Sequence, residues 1–219
     1  MIRARDLPTV VRMLETESLY LDIVDIANAA PAFVRAFAAV ATQALLVLLA
    51  LVCAVNFWRA RSRSAAAVTT AALAPVVVTA AYLVSEVVKT LWQEDRPCRA
   101  RHVIADCPEY GDWSFPSNHA VLAGAAAVAI VFANRRAAWI AVPVALLAAA
   151  SRVFVGVHYP HDVLVGLLLG AAVATMLPLL ARPLTPVVAR LRSRLPVVLG
   201  RGPGQDTPTV RIPRVPGQR

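Results

Sequence analysis

Three short segments of the sequence carry residues that could do chemistry on a phosphate group. They are KTLWQEDRP at 89–97, PSNH at 116–119 and SRVFVGVHYPHD at 151–162. Seven of their residues could form such a site, namely three cations, a hydroxyl, two imidazoles and a carboxylate: Lys89, Arg96, Arg152, Ser117, His119, His158 and Asp162. Cations can hold the non-bridging oxygens of a phosphate, while histidines transfer protons or bond covalently to phosphorus. If the fold brings these segments together, they form a phosphoryl-transfer site.

Each segment taken alone has an ordinary explanation. Lys89 and Arg96 are about two helical turns apart and would share one face, but Lys89 could also snorkel while Arg96 is a solvated loop charge. Pro160 suits the first turn of a helix, with His158 just before it and Asp162 inside that turn. Asp162 could then orient the ring of His158, or it could simply cap the helix.

The central segment lies where a polar loop runs into an apolar stretch. Ser117 and His119 lie at the start of this apolar stretch. The N-terminus of a helix offers free backbone N–H groups and a favourable dipole to an anion. Ionisable residues at a membrane boundary are candidates for function.

The elements that must position these segments are long apolar runs. The chain of 219 residues is 58% hydrophobic and 16% charged. A membrane span needs about 20 apolar residues. We predict an all-α polytopic membrane bundle with five spans, at 36–57, 65–84, 120–133, 137–150 and 163–181. A soluble bundle is disfavoured because these runs are apolar around the whole helix. The runs at 120–133 and 137–150 are shorter than a span, so residues 116–119 and 151–155 must extend them. These polar residues then lie at the membrane boundary.

The distribution of the +9 charge predicts the orientation. Arginines cluster at 59–63, at 135–136 and at 182–194, after alternate spans, so the positive-inside rule makes these three places cytoplasmic. The N-terminus and the loops 89–118 and 152–162 then face outward. This pattern argues for contact with membrane lipid and against nucleic-acid binding.

The two ends of the chain differ from the apolar centre. Residues 1–32 carry acidic residues without the apolar region of a cleaved signal, and 10–30 predict an amphipathic helix on the outer surface. The core is predicted at 33–182. Residues 183–219 are rich in proline and arginine, which predicts a disordered cytoplasmic tail.

The three segments together resemble the signature of the type 2 phosphatidic acid phosphatase superfamily, which also contains the vanadium haloperoxidases. The resemblance implies that His158 attacks phosphorus with Asp162 orienting it, and that His119 protonates the leaving oxygen and then activates water. It also implies a phosphate clamp made by Lys89, Arg96, Arg152, Ser117 and the backbone amide of Asn118. This chain departs at Asn118, where the family often has glycine. The scheme requires no metal and no cofactor.

Several other residues are given lesser roles. We expect His161 and His102 to be structural or surface residues, and Glu86 to form a local salt bridge with Lys89. Cys98 and Cys107 share an outward loop, where they could form a disulfide or remain as two thiols. Cys53 is expected to be an inert packing residue within the first span.

Within the superfamily, the chain is similar to bacterial undecaprenyl-diphosphatases. This resemblance implies hydrolysis of the terminal phosphate of a polyprenyl diphosphate, which would recycle the cell-wall carrier and oppose bacitracin. A phosphatase for phosphatidic acid or phosphatidylglycerophosphate would keep every catalytic role. A haloperoxidase is disfavoured because those enzymes are soluble. A non-catalytic lipid-binding protein would be favoured by a missing nucleophile or clamp residue, and none is missing.

Overall fold

The computed structural model describes residues 7–200, and that part of the chain is built from α-helices, short 3-10 turns and loops. The helices are α1 Leu7–Ala29, α2 Ala32–Ala60, α3 Ala65–Trp92, α4 Asn118–Ala133, α5 Ala138–Phe154, α6 Pro160–Ala174, α7 Leu177–Arg194 and the single turn α8 Pro196–Leu199. The all-α prediction is confirmed for these residues.

The apolar runs of the sequence form the helices of a polytopic membrane bundle. By length and composition, four stretches can cross a membrane: Ala32–Ala60, Ala65–Trp92, Arg135–Phe154 and Pro160–Arg194. The remaining predicted span, at 120–133, corresponds to α4, which is apolar but only 16 residues long. Both short runs extend into their polar flanks as predicted, because α4 begins at Asn118 and α5 continues to Phe154.

Helix α4 lies in the middle of the bundle and packs against α2, α3, α5 and α6. Alanines make up most of its buried surface, including Ala120, Ala123, Ala125 and Ala129, each with 0% exposure. Small side chains let neighbouring helices approach closely in a membrane, where close van der Waals packing drives association. A short helix surrounded on several sides can therefore hold its first residues in a fixed position.

Glycines bring α4 and α6 together most closely. A Cβ added at Gly170 would overlap the carbonyl oxygen of Val121, and one added at Gly124 would overlap that of Leu167. At Gly166, it would lie 2.7 Å from the carbonyl oxygen of Ser117. The N-terminus of α4 and the first turns of α6 are thus in contact through their backbones.

The bundle has two distinct ends. One end, which we call the loop end, carries residues 93–117 between α3 and α4 and residues 155–159 between α5 and α6. The opposite end, called the arginine end, carries residues 61–64 and 134–137. The candidate phosphate-binding residues belong to the first of these two ends.

Helix α1 covers part of the loop end. Tyr20, Val24 and Ala27 form its buried face, at a spacing that fits one side of a helix. The hydroxyl of Tyr20 donates to the carbonyl of Gly156 at 2.9 Å, and the side chain of Asn28 donates to the carbonyl of His102 at 3.1 Å. The predicted helix at 10–30 is therefore present, and it packs on the same end as both loops.

The prediction of disorder from residue 183 is wrong for the described part of that segment. After a break at Thr175 and Met176, α7 continues to Arg194. Leu177 and Ala181 are buried against the bundle, and the Arg192 guanidinium donates to the carbonyls of Arg61 at 2.7 Å and Arg63 at 3.0 Å. Tertiary contacts thus order a segment whose composition favours disorder. Residues 201–219 lie outside the described residues.

Replacing Gly170 by alanine tests the close packing of α4 and α6. The added methyl group must push the two helices apart, and we expect a loss of about 1–3 kcal/mol of stability. The measurement is thermal unfolding of the purified protein in detergent. Leu168→Ala, on an exposed part of the same helix, is the control and should change the unfolding temperature less. Equal effects of the two changes would contradict the packing account.

Candidate active site

The structure brings the predicted site residues together at the loop end. Lys89 lies in the last turn of α3, Ser117 precedes α4, Arg152 lies in the last turn of α5, and Asp162 lies in the first turn of α6. Most of these side chains are buried, and the three cations Lys89, Arg96 and Arg152 are only 3%, 5% and 8% exposed. Buried cations are costly unless anions or hydrogen-bond acceptors compensate them, so their grouping indicates an anion site.

His158 is held between a carboxylate and a guanidinium. Its Nδ1 lies 3.2 Å from Asp162 Oδ2, and its Nε2 lies 2.9 Å from Arg96 Nη1. Because a guanidinium can only donate, Nε2 accepts this bond and the ring proton is assigned to Nδ1. Burial, followed by the positive charges of Arg96, Arg152 and Lys89, lowers the pKa of His158 well below its ordinary value. The ring is therefore neutral, with a lone pair on Nε2.

Asp162 is fixed by several donors on one oxygen. Besides His158, its Oδ2 accepts from the backbone N–H of Tyr159 at 3.0 Å and from the hydroxyl of Ser114 at 2.5 Å. Ser114 is fully buried and was missed at the sequence level. Its position three residues before Ser117, in the same polar segment, was the available signal.

Two of the clamp cations share one carboxylate that sequence reasoning also missed. Asp112 Oδ1 lies 2.7 Å from Lys89 Nζ and 2.8 Å from Arg96 Nη2. Burial raises the pKa of Asp112, but the hydrogen bonds from Lys89 and Arg96 outweigh it, so the pKa lies below its ordinary value. The expected salt bridge between Glu86 and Lys89 is therefore wrong, because Lys89 pairs with Asp112.

Two buried donor atoms at the site have no hydrogen-bond partner among the described residues. They are Ser117 Oγ and Arg152 Nε. The remainder of the Arg152 side chain is anchored, since its Nη1 donates to Thr42 Oγ1 at 3.0 Å. Two donors without acceptors beside Arg96 and Lys89 fit a site that takes an anion with several oxygens.

His119 contacts α2 rather than His158. Its Nε2 lies 3.1 Å from Gln43 Oε1, an exposed amide that the sequence analysis did not single out. Because the amide oxygen accepts, the ring proton of neutral His119 is assigned to Nε2. Nδ1 is then the ring nitrogen available for proton transfer.

Asn118 uses its side chain to join α3 and α4. Ser85 Oγ donates to Asn118 Oδ1 at 2.6 Å, and Asn118 Nδ2 donates to Glu86 Oε1 at 2.6 Å. We expected this residue to contribute mainly its backbone N–H. The side chain that replaces the usual glycine therefore fixes the first turn of α4 against α3.

Cysteines constrain the loop that joins Arg96 to Ser117. A disulfide links Cys98 and Cys107, whose Cα atoms are 5.6 Å apart. Cys53 is a free thiol within α2. The covalent link restricts the conformations of the loop that places Asp112 next to Lys89 and Arg96. Cys98 and Cys107 therefore form a disulfide in the structure and are not two free thiols.

The other two histidines differ in their surroundings. His102 is exposed, whereas His161 lies between Glu94 and Asp162. Glu94, His161 and Asp162 form the single group of potential metal ligands found among residues 7–200. The three clamp cations lie outside this group.

Comparison with known proteins identifies the family. The model of the PAP2 superfamily matches residues 70–185, more than half of the chain. The chain belongs to the PAP2 superfamily. The matched range contains α4, α5 and α6 and all three segments of the site.

Curated relatives of this PAP2 protein act on lipid phosphates of several kinds, according to their names. It is 34% identical over 115 residues to undecaprenyl-diphosphatase BcrC of Bacillus subtilis, covering 51% of this chain and 60% of the relative. It is 42% identical over 65 residues to an undecaprenyl-diphosphatase of Sulfolobus acidocaldarius, and the match covers 29% of this chain and 32% of that relative. Decaprenylphosphoryl-5-phosphoribose phosphatase of Mycobacterium tuberculosis is 39% identical over 99 residues, covering 44% and 52%. The chain thus spans between about a third and three fifths of the length of these relatives.

A solved structure shares the fold. The structure of a transmembrane PAP2-type phosphatidylglycerolphosphate phosphatase from Bacillus subtilis superposes with a TM-score of 0.56 and 22% identity. The match covers 76% of this chain and 86% of that protein. The membrane-bundle fold of the PAP2 protein is therefore shared with a member of the same superfamily.

Replacing Asp112 by asparagine tests whether this carboxylate competes with a bound anion. Asparagine keeps an acceptor oxygen but removes the charge, so we expect inorganic phosphate to bind about 2–5-fold more tightly. Isothermal titration of the purified protein measures this affinity. Asp106→Asn, an exposed residue of the same loop, should leave it unchanged. Weaker binding in Asp112→Asn would show instead that Asp112 holds the cations in place.

Proposed function

We propose that this protein is a membrane lipid phosphatase that removes the terminal phosphate of a polyprenyl diphosphate, through a phosphohistidine, at the outer face of the membrane. The observation that carries the proposal is the position of His158, whose Nε2 is turned toward Arg96 by the bond from Nδ1 to Asp162. A neutral imidazole with an oriented lone pair beside a guanidinium is suited to attack an anionic phosphorus centre.

The first step forms the covalent intermediate. His158 Nε2 attacks the terminal phosphorus and a P–N bond forms, while the bond from phosphorus to the bridging oxygen breaks. His119, which carries a second proton on Nδ1 when the anionic substrate is bound, donates that proton to the bridging oxygen, so the polyprenyl monophosphate leaves. Asp162 stabilises the positive charge that develops on the His158 ring through its hydrogen bond to Nδ1.

The second step releases phosphate. His119, now deprotonated, takes a proton from water, the water oxygen attacks phosphorus, and the P–N bond breaks. Lys89, Arg96 and Arg152 hold the phosphoryl oxygens in both steps, assisted by Ser117 and the backbone N–H of Asn118. Because Asp112 occupies Lys89 and Arg96 in the present structure, the phosphate must take over these contacts when it binds. Side-chain cations thus supply the charge stabilisation.

The lipid nature of the substrate is supported by an apolar cavity of about 450 Å³ between α2, α3 and α4. It begins next to the site, since Leu46 lies about one turn beyond Gln43 on α2 and Leu122 about one turn beyond His119 on α4. Its remaining lining is also mainly apolar, including Leu49, Phe57 and Val78. A chain attached to a phosphate at the loop end could extend into this cavity. The relatives named undecaprenyl-diphosphatases favour a polyprenyl chain.

The orientation and the domain limits belong to the same proposal. Arginines at 59–63 and 135–136 lie at the arginine end, which the positive-inside rule makes cytoplasmic. The loop end, with α1 within residues 1–32, then faces outward. The core extends over 33–182, and residues 183–219 follow on the cytoplasmic side.

The test offers the purified protein, in detergent, three lipids side by side: undecaprenyl diphosphate, phosphatidic acid and phosphatidylglycerophosphate. We expect the highest kcat/KM for undecaprenyl diphosphate. His158→Ala should lower kcat by at least about 10³-fold because it removes the nucleophile. The matched control is His102→Ala, which alters an exposed histidine of the loop end.

Different outcomes would reject different parts of the proposal. Preference for phosphatidylglycerophosphate or phosphatidic acid would overturn the polyprenyl assignment but keep the mechanism. Full phosphate release by His158→Ala would overturn the mechanism. No turnover of any of the three lipids by the folded wild-type protein would favour a non-catalytic lipid-binding role.

A further inference from the structure

Three potential metal ligands converge beside the nucleophile, and none of the clamp cations belongs to this group. Glu94 lies in the loop after α3, and His161 and Asp162 lie in the first turn of α6. His161 Nε2 is 3.0 Å from Glu94 Oε1 and 3.1 Å from Asp162 Oδ1. One ligand atom from each residue lies within 4.8 Å of the other two. The proposed phosphatase mechanism uses neither Glu94 nor His161.

The two oxygens of Asp162 differ sharply in their surroundings. Oδ2 accepts from His158, Tyr159 and Ser114, whereas the buried Oδ1 has no hydrogen bond among residues 7–200. His161 Nε2 can carry only one proton, and its hydrogen bond is with Glu94. Asp162 is 0% exposed, so a carboxylate oxygen without a donor is buried there and directed at the imidazole. A buried oxygen of this kind needs a hydrogen-bond donor, a water molecule or a cation, and the imidazole nitrogen His161 Nε2 lies 3.1 Å from it.

The two separations from His161 Nε2 fit ligands of a transition-metal ion. Zinc binds nitrogen and oxygen ligands at about 2.0–2.2 Å, which puts neighbouring ligand atoms about 3.0–3.5 Å apart for angles between octahedral and tetrahedral. The separations from His161 Nε2 are at the short end of this range. An imidazole with two carboxylates suits zinc and its neighbours better than magnesium, which prefers oxygen ligands throughout.

The imidazole is already oriented for this role. Tyr159 stacks on the His161 ring, with centroids 5.4 Å apart and planes at 11°, and Phe115 lies 6.1 Å away. The side chains of Glu94 and His161 are 24% and 29% exposed, so an ion can reach them from the loop end. Water could complete the coordination on that open side.

We propose that Glu94, His161 and Asp162 form a binding site for a divalent transition-metal ion, such as Zn²⁺, and that the bound ion inhibits the active site through Asp162. A cation on Oδ1 draws electron density from the carboxylate, so Oδ2 becomes a weaker acceptor for the Nδ1 proton of His158. The histidine is then less firmly oriented, and the positive charge that it gains on attack is less stabilised. The inhibition rests on the proposed phosphatase function, whereas binding of the ion does not.

Binding is measured first, without any substrate. The full chain is purified with an affinity tag that contains no histidines, treated with a chelator and titrated with Zn²⁺ by calorimetry. We expect one Zn²⁺ per chain, and an affinity at least about tenfold weaker in His161→Ala and in Glu94→Gln. Co²⁺ gives an independent readout, because its visible absorption reports nitrogen and oxygen ligands.

Matched controls exclude other ligands and misfolding. His102→Ala and Cys53→Ser remove the exposed histidine and the free thiol, and should bind Zn²⁺ like the wild type. Thermal unfolding of each metal-free variant shows whether it is folded, and Glu94→Gln provides a second loop-based variant if His161→Ala is unstable. Unchanged Zn²⁺ affinity in both folded variants would overturn the site.

Inhibition is measured next, with undecaprenyl diphosphate as substrate. Zn²⁺ should inhibit the wild type, a chelator should reverse the effect, and the IC50 should rise at least about tenfold in His161→Ala and Glu94→Gln. Stoichiometric binding without inhibition of an active enzyme would overturn the link through Asp162. An inactive wild type that binds Zn²⁺ at these residues would reject the phosphatase proposal while leaving the metal site intact.

Discussion

The structure depends on one buried line of polar contacts, from Asp162 through His158 to Arg96. Each member lies on a different element: the first turn of α6, the loop before it and the loop after α3. None of the three is more than 5% exposed, so each would be costly without its neighbours. The line fixes which nitrogen of His158 carries the proton, and it directs the other toward the cations. The neighbouring groups, including Ser114 and Asp112, hold one end or the other of this line.

The bundle has to place segments 89–97 and 151–162 at the same depth to form that line, and α4 packs against both α3 and α6. Backbone contact between α4 and α6 does part of this, because the Ser117 N–H donates to the carbonyl of Asp162 at 3.1 Å. Gly166 and Gly170 permit the approach by having no side chain. Asn118 ties the same turn of α4 to α3 through Ser85 and Glu86. Asn118, the position that departs from the family pattern, thus adds a contact between α3 and α4. A glycine has no side chain and could not make it.

The sequence predicted which residues meet at the loop end, and where the apolar helices lie, better than it predicted the partners of those residues. Lys89, Arg96, Arg152 and His158 were found because their types and spacing are distinctive. Asp112 and Gln43 were missed because each meets its partner only after the chain has folded, across 16 or more residues. The order of α7 was missed for a similar reason, since Arg192 finds its acceptors in the loop after α2. Local composition does not report such distant contacts.

The central claim is that His158 attacks through Nε2 because Asp162 holds Nδ1. The most direct measurement is rapid quenching of the enzyme during turnover, under alkaline conditions that preserve phosphohistidine, followed by proteolysis and mass spectrometry. The ring position of the phosphate is then assigned by comparison with the two phosphohistidine isomers. The account predicts phosphate on Nε2 of His158. Phosphate on Nδ1 of that residue, or on His119 instead, would contradict it.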